Sequence, residues 1–159
     1  MGYEPTGEVS IKGDAIVAAD HSDLLFAGKI AALCASAQVM YSEEEKIWRV
    51  SGDPTEAAMF VFGQQVGFDK ADVEQESPMI SEIPFDYKLK YHATIHSVAG
   101  KNTLTVVGAP EQVLALCKHM RHGDGTTSLT TEKNEELESA LTHMSSKGLR
   151  VLAYATAIG

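Results

Sequence analysis

Cysteine is scarce in this chain, which has two cysteines among 159 residues. Two are too few for the disulfide framework that holds many small secreted domains together. Cys34 and Cys117 each lie within an apolar pattern of helical period, which favours buried thiols over a disulfide between them. We therefore expect the chain to fold in a reducing, cytoplasmic compartment.

Long apolar runs and excess positive charge are also missing. No run approaches the roughly 18 apolar residues of a membrane-spanning helix, and no signal peptide opens the sequence. Thirteen lysines and arginines face 22 acidic residues, so the formal net charge is −9. This charge argues against nucleic acid or an anionic membrane as the main partner. An anionic ligand would need a local cluster of basic side chains.

The size and composition indicate one globular domain over residues 1–159. A chain of this length can bury a core unaided, and its content of 44% hydrophobic and 22% charged residues is ordinary for a globular protein. We expect the domain itself to lie outside the membrane.

The sequence does not predict a metal site. Cys117, His119 and His122 are close in sequence, but their spacing matches no common zinc pattern. His92 and His96 lie too far apart on a strand to chelate one ion unaided. We expect no metal site.

The apolar periodicity predicts a mixed α and β fold. Alternation indicates strands over residues 9–12, 47–50, 79–84, 91–98, 103–107 and 149–156. Helical spacing indicates helices over 24–40, 54–66, 109–120 and 131–146, with a short acidic helix or loop over 69–76. Residues 99–102 are a hairpin signal, and residues 123–127 indicate a surface turn. The order of elements favours the α+β class, with a twisted, largely antiparallel sheet flanked by helices.

Local chemistry marks the ends of several elements. Asp53 has the sequence position of an N-cap, with Pro54 at the first helical position and Glu56 placed to reach back, which together form a capping box. Gly67 is placed to end the same helix. Pro84 denies its strand one ladder hydrogen bond, so that strand is expected at a sheet edge or near its end.

Four short segments stand out, and each alone has an ordinary structural explanation. Gly52–Glu56 is a helix cap, Glu82–Asp86 contains an aromatic of core type, Gly108–Glu111 is a tight strand-to-helix turn, and Gly148–Ala153 contains a strand arginine. Together, in this order and spacing, they closely resemble the nucleotide-binding (N) domain of P-type cation-transporting ATPases. The resemblance covers almost the whole chain. The residues of the second and third segments resemble those of the family branch that moves calcium, sodium, potassium or magnesium.

The resemblance implies a binding site for the adenine base of ATP. Glu56 would accept a hydrogen bond from the adenine amino group, with support from Thr55 and Asp53. Phe85 would stack on the ring. The family has a lysine five residues after this phenylalanine, and here that residue is Lys90. Lys88 shares its strand parity, so both are expected on one face, although two solvated lysines are the ordinary alternative.

The third segment departs from the family pattern at one position. The family motif is usually Lys-Gly-Ala, and the lysine position is Val107 here. Valine supplies only apolar contact, while the small Gly108 and Ala109 would still let the backbone approach a ring closely. Arg150 in the fourth segment matches a family arginine that meets the phosphate side of the nucleotide.

The same resemblance implies a partial enzyme. The Asp-Lys-Thr-Gly sequence that carries the phosphorylated aspartate in this family is absent, and we expect an excised piece without catalytic residues or turnover of its own. The parent would be an integral membrane transporter using Mg-ATP, with this domain in the cytoplasm beside its phosphorylation and actuator domains. The alternative is a non-catalytic regulatory or docking module that keeps the fold but binds nucleotide poorly.

Overall fold

The computed structural model describes residues 3–159, which divide into two compact units. The first unit ends at Pro78 and the second covers Met79–Gly159. No helix within the described residues is long and apolar enough to cross a bilayer. Mixed helix and antiparallel sheet confirm the predicted α+β class. The assignment of residues 1–159 to one domain stays a prediction.

The first unit consists of helices with two small hairpins. Its elements are β1 (Ser10–Ile11), β2 (Asp14–Ala15), a 3-10 turn (Ala18–Asp20), α1 (Ser22–Cys34), β3 (Gln38–Ser42), β4 (Ile47–Ser51), α2 (Pro54–Gln65) and α3 (Lys70–Glu76). Ala37, Val39 and Ala57 form a buried cluster, against which Trp48 and Phe60 pack. This cluster joins the β3–β4 hairpin to α2.

The first long helix is shorter than the periodicity predicts. Residues 24–40 were expected to be one helix, but α1 ends at Cys34 and Ala35 has extended dihedral angles. Residues from Gln38 onward pair with β4 instead, beginning with Gln38 opposite Ser51. A short apolar run fits a buried helix or a strand equally well, so strand pairing rather than local sequence decides its state here.

The predicted end of α2 is confirmed. Gly67 has a φ of 100°, a left-handed conformation that glycine adopts without steric cost. Its N–H donates to the Gln64 carbonyl at 3.0 Å, and the Phe68 N–H donates to the Gly63 carbonyl at 2.9 Å. These two bonds form a Schellman motif, which satisfies carbonyls that the helix end would otherwise leave unbonded.

The second unit is built on a four-stranded antiparallel sheet. Its order is β10 (Ala153–Ile158), β7 (Lys101–Gly108), β6 (Tyr91–Val98) and β5 (Met79–Asp86). The predicted hairpin connects β6 to β7 through Ala99 and Gly100, both with positive φ. Pro84 lies on β5, an edge strand, as predicted. The remaining elements are α4 (Pro110–Leu114), β8 (His119–His122), β9 (Gly125–Ser128) and α5 (Thr131–Ser146).

Three boundaries in this unit differ from the prediction. The helix predicted over 109–120 is only α4, because the chain from His119 pairs as β8 with β9. The turn predicted over residues 123–127 is shorter in the structure, because only the residues that connect β8 to β9 form it. The last strand begins at Ala153 rather than at residue 149, so Arg150 lies before the strand.

One face of the sheet packs against α4. Ala93 of β6, Val106 of β7 and Val113 of α4 are buried together, and Cys117 packs against them. The Cys117 thiol donates to the Val113 carbonyl at 3.2 Å, and its burial raises its pKa. Within the described residues neither cysteine is in a disulfide, as predicted.

Candidate functional site

Asp53 caps α2 as the sequence predicts. Its Oδ1 accepts hydrogen bonds from the Thr55 N–H at 2.7 Å and the Glu56 N–H at 3.3 Å. Pro54 occupies the first helical position. The first turn of this helix is therefore held by a side chain, and Asp53, Thr55 and Glu56 are brought together within one turn.

The Glu56 carboxylate has a partner in the preceding loop of the same unit. Its Oε2 accepts a hydrogen bond from the Ser36 N–H at 3.3 Å and another from the Ser36 hydroxyl. Ser36 is twenty positions away in sequence, and nothing in the local pattern predicts this contact. The carboxylate is thus oriented by a backbone and a side-chain donor.

Phe85 lies on a β-bulge at the sheet edge. Ile83 pairs with Ala93 and Asp86 pairs with Tyr91, which leaves Pro84 and Phe85 together opposite His92. The extra residue bends the edge strand and re-aims its side chains. Phe85 is 46% exposed, and its ring forms a T-shaped contact with the ring of Tyr87, with centroids 5.3 Å apart. It is therefore a surface aromatic, and the alternative of a core phenylalanine is not what the structure shows.

The strand register places Phe85 in a row with His92 and Val107. Phe85 lies opposite His92, His92 pairs with Val107, and Val107 pairs with Tyr154 of β10. Alternation along β6 and β7 puts His92 and Val107 on the sheet face opposite the cluster of Ala93, Val106 and Val113. His92 was missed by sequence reasoning as a site candidate, because its place in this row depends on the register of three strands.

The position that carries a lysine in the family is closed in this chain. Val107 is only 2% exposed and His92 is 9% exposed. Val107 thus contributes to packing and has almost no accessible surface of its own. This row of residues presents an aromatic ring at the strand edge and becomes buried toward its centre.

Lys88 and Lys90 lie in a turn and not on a strand. The Asp86 Oδ1 accepts from the Lys88 N–H at 2.7 Å and from the Leu89 N–H at 2.8 Å, and the Lys90 N–H donates to the Asp86 carbonyl at 2.6 Å. The expectation that both lysines share a strand face is therefore wrong. The Asp86 side chain bonds the backbone locally and ends the strand.

Lys90 is joined to the Gly108–Glu111 segment by a backbone hydrogen bond and an ion pair, and it packs closely against Gly108. Its carbonyl accepts from the Ala109 N–H at 2.9 Å, and its Nζ lies 3.5 Å from Glu111 Oε1. A Cβ added at Gly108 would lie 2.3 Å from the Lys90 oxygen, closer than real Cβ contacts come. The space left by Gly108 is thus occupied by the Lys90 backbone, whereas the sequence reasoning assigned it to an approaching ring.

Arg150 lies in the exposed segment between α5 and β10. Gly148, with a φ of 76°, ends α5, and its N–H donates to the Ser145 carbonyl at 2.9 Å. Arg150 therefore lies four residues after the end of α5 and three residues before the start of β10. Arg150 is exposed to solvent.

Comparisons with known proteins support the family resemblance of the four sequence segments. The family model described as P-type ATPase, cytoplasmic domain N matches residues 26–158. The cation-transporting ATPase pma1 of Synechocystis is 34% identical over 123 residues, covering 77% of this chain and 13% of that protein. The calcium-transporting ATPase of Bacillus subtilis is 28% identical over 155 residues, covering 97% of this chain and 17% of that protein. The chain spans less than a fifth of the length of these curated relatives.

We predict that Gly108→Ala destabilises the fold. The added methyl would collide with the Lys90 carbonyl and the Tyr91 backbone, and overpacking of this kind costs about 1–3 kcal/mol of unfolding free energy. Denaturant unfolding followed by circular dichroism measures the loss. Gly125→Ala is the matched control, because the nearest neighbour of its added Cβ is 3.9 Å away. Equal stability of the two variants would contradict the close approach.

We predict that Val107→Lys does not tighten nucleotide binding. At 2% exposure the valine site would force the ammonium to be buried or the strand to shift, at a cost on the order of 3 kcal/mol of unfolding free energy. Val107→Met, which has similar length without charge, separates volume from desolvation. If the position were open to a ligand, the lysine variant would instead keep its stability and bind ATP more tightly at low salt.

Proposed function

The chain belongs to the family of P-type ATPase cytoplasmic N domains, and we propose that it binds ATP within a cation-transporting ATPase. In this proposal the adenine base is gripped and the γ-phosphate projects toward an aspartate in a separate phosphorylation domain. The parent reaction is transfer of a phosphoryl group from Mg-ATP to that aspartate. In this proposal the chain contributes to catalysis by positioning the nucleotide, which is a proximity effect like those of other enzymes.

The exposed ring of Phe85 carries the proposal. A half-exposed phenylalanine on a bulged edge strand offers a flat apolar surface that the fold itself leaves open. Base–aromatic stacking contributes about 1–3 kcal/mol per base in nucleic-acid systems, and adenine has the same flat face.

The first unit supports its own part of the proposal. The family resemblance gives Glu56 the role of accepting a hydrogen bond from the adenine amino group. The Asp53 cap fixes the helix turn, and the Ser36 hydrogen bonds orient the carboxylate. A contact group whose geometry is already set loses little entropy when it binds a ligand.

Basic side chains of the second unit would meet the phosphates. Lys90 and Lys88 lie in the turn after the Phe85 strand, and Arg150 is exposed on its own segment. A guanidinium can bond phosphate oxygens in pairs, whereas an ammonium acts as a point charge. Gly108 and Ala109 would then act mainly by holding Lys90 in place.

The proposed setting follows from the family. The chain would lie on the cytoplasmic side of a membrane transporter, with the phosphorylation and actuator domains of the same parent as its partners. The Asp-Lys-Thr-Gly sequence is absent from these residues, so we expect binding without turnover. The names of the relatives include cation-transporting, calcium-transporting and sodium/potassium-exporting ATPases, so the proposal is for a cation transporter as a class.

One observation favours a second function. A buried valine at position 107, where the family pattern has a lysine, removes a cation from the pocket, which fits a regulatory or docking module with little affinity for nucleotide. Such a module would keep the fold and the exposed Phe85 without binding ATP. A nucleotide titration separates the two functions directly.

We predict that the chain binds ATP and ADP with similar affinity. The base rather than the γ-phosphate is gripped, so removing that phosphate changes few contacts. The expected dissociation constant is on the order of 1 mM, or about −4 kcal/mol. Amide chemical shifts mapped by NMR during titration measure both affinities. A strong preference for ATP over ADP would show that the γ-phosphate is also bound, and a preference for GTP over ATP would rule out recognition of adenine.

We predict that Phe85→Ala weakens ADP binding by about 1–3 kcal/mol while the fold remains intact. The ring is half-exposed, so its removal takes little from the core. Leu89→Ala is the matched control, since Leu89 is exposed to a similar extent in the adjoining turn. Calorimetry measures affinity and thermal unfolding measures stability. Unaltered ADP affinity in Phe85→Ala would remove stacking from the proposal.

A further inference from the structure

Lys90 and Glu111 form an ion pair between two proposed site segments. The Lys90 Nζ lies 3.5 Å from Glu111 Oε1, and both side chains are about half exposed, at 55% and 54%. Glu111 stands in the first turn of α4, directly after Pro110. The ammonium that would meet the nucleotide phosphates is thus held by a carboxylate of the same unit.

The backbone around this pair is fixed more firmly than the side chains. Lys90 has a φ of 59°, and its N–H and carbonyl are both bonded, to Asp86 and Ala109 respectively. Gly108 leaves the space that the Lys90 carbonyl occupies. The same four-residue segment therefore sets the position of Lys90 and supplies its counterion.

We propose that Glu111 is a positioning residue that competes with nucleotide phosphates for Lys90. This inference rests on the proposed function, because it requires nucleotide to bind near Lys90. Without ligand, Glu111 holds the ammonium; when ADP or ATP binds, the phosphate takes the ammonium from Glu111. An exposed ion pair is weak enough to be exchanged in this way.

The absence of a lysine at position 107 makes this competition consequential. In the family pattern a second lysine serves the same pocket, but here the residue is a buried valine. Lys90 then carries a larger share of the positive charge available in the second unit. The ion pair with Glu111 lowers the affinity of Lys90 for phosphate groups without affecting the binding of the base.

The test compares adenosine with ADP in Glu111→Gln. The neutral glutamine no longer competes, so ADP affinity should rise by about 2- to 5-fold while adenosine affinity stays the same. The gain should shrink at high salt, since the pair is exposed to solvent. A purely structural role of Glu111 would move both ligands alike, and calorimetry distinguishes these results.

Two further variants serve as controls. Glu136→Gln removes the same charge from another lysine–glutamate pair, in which Lys133 Nζ lies 2.7 Å from Glu136 Oε2, and should leave the ADP-to-adenosine ratio unchanged. In a Lys90→Met background, Glu111→Gln should lose its effect, because the two residues act through each other.

Each other outcome overturns the proposal. If the parent binds ADP but Glu111→Gln leaves the ratio to adenosine as it was, the competition is absent while the proposed function stands. If the gain persists without Lys90, Glu111 acts directly on the ligand. If the parent and every folded variant bind neither ligand, the proposed function fails and this inference fails with it.

Discussion

The narrow gap between Gly108 and the Lys90 carbonyl is the constraint on which the second unit depends. At this point β7 ends opposite the start of β6, and α4 begins two residues later. Any side chain at position 108 would push these backbones apart. The hydrogen bond from Ala109 to Lys90 closes the junction. Because the junction is fixed, the Lys90 turn and the first turn of α4 keep a defined relation.

The sheet edge shows how the fold can expose an aromatic ring without losing its core. Pro84 has no N–H to donate, so it is tolerated on β5, where one side of the strand is unpaired within the sheet. The bulge puts Pro84 and Phe85 opposite one residue of β6. The inner strands remain fully paired, and the cluster around Ala93 and Val106 is unaffected. The edge can therefore present Phe85 at low cost to stability.

Local chemistry in the sequence predicts element ends better than apolar runs predict element types. The Asp53 cap, the Gly67 helix end and the hairpin after β6 are confirmed, because each depends on residues within one turn. The predicted helices over 24–40 and 109–120 are both too long. In each case the chain leaves the helix to pair with a strand that follows in sequence. Apolar spacing carries no information about that pairing.

The candidate site follows the same division. The resemblance identifies Phe85, Glu56 and Lys90 by position, but their partners come only from the fold. Ser36 reaches Glu56 across twenty residues, and Glu111 reaches Lys90 from another element. The burial of Val107 likewise depends on strand pairing. The family resemblance therefore predicts which ligand is plausible, and tertiary contacts determine which groups are accessible.

In the proposed binding mode, electrostatics explains why stacking on Phe85 contributes a large part of the binding. The net charge of −9 opposes a nucleotide, but at physiological salt the Debye length is about 8 Å, so distant carboxylates are largely screened. A carboxylate 3.5 Å from the lysine is not screened in the same way, and Glu111 therefore matters more than the total charge. Stacking on Phe85 involves no net charge and is insensitive to salt. In this proposed mode, recognition of the base would survive the replacement of a lysine by Val107, whereas placement of the phosphates would depend on exposed cations such as Lys90.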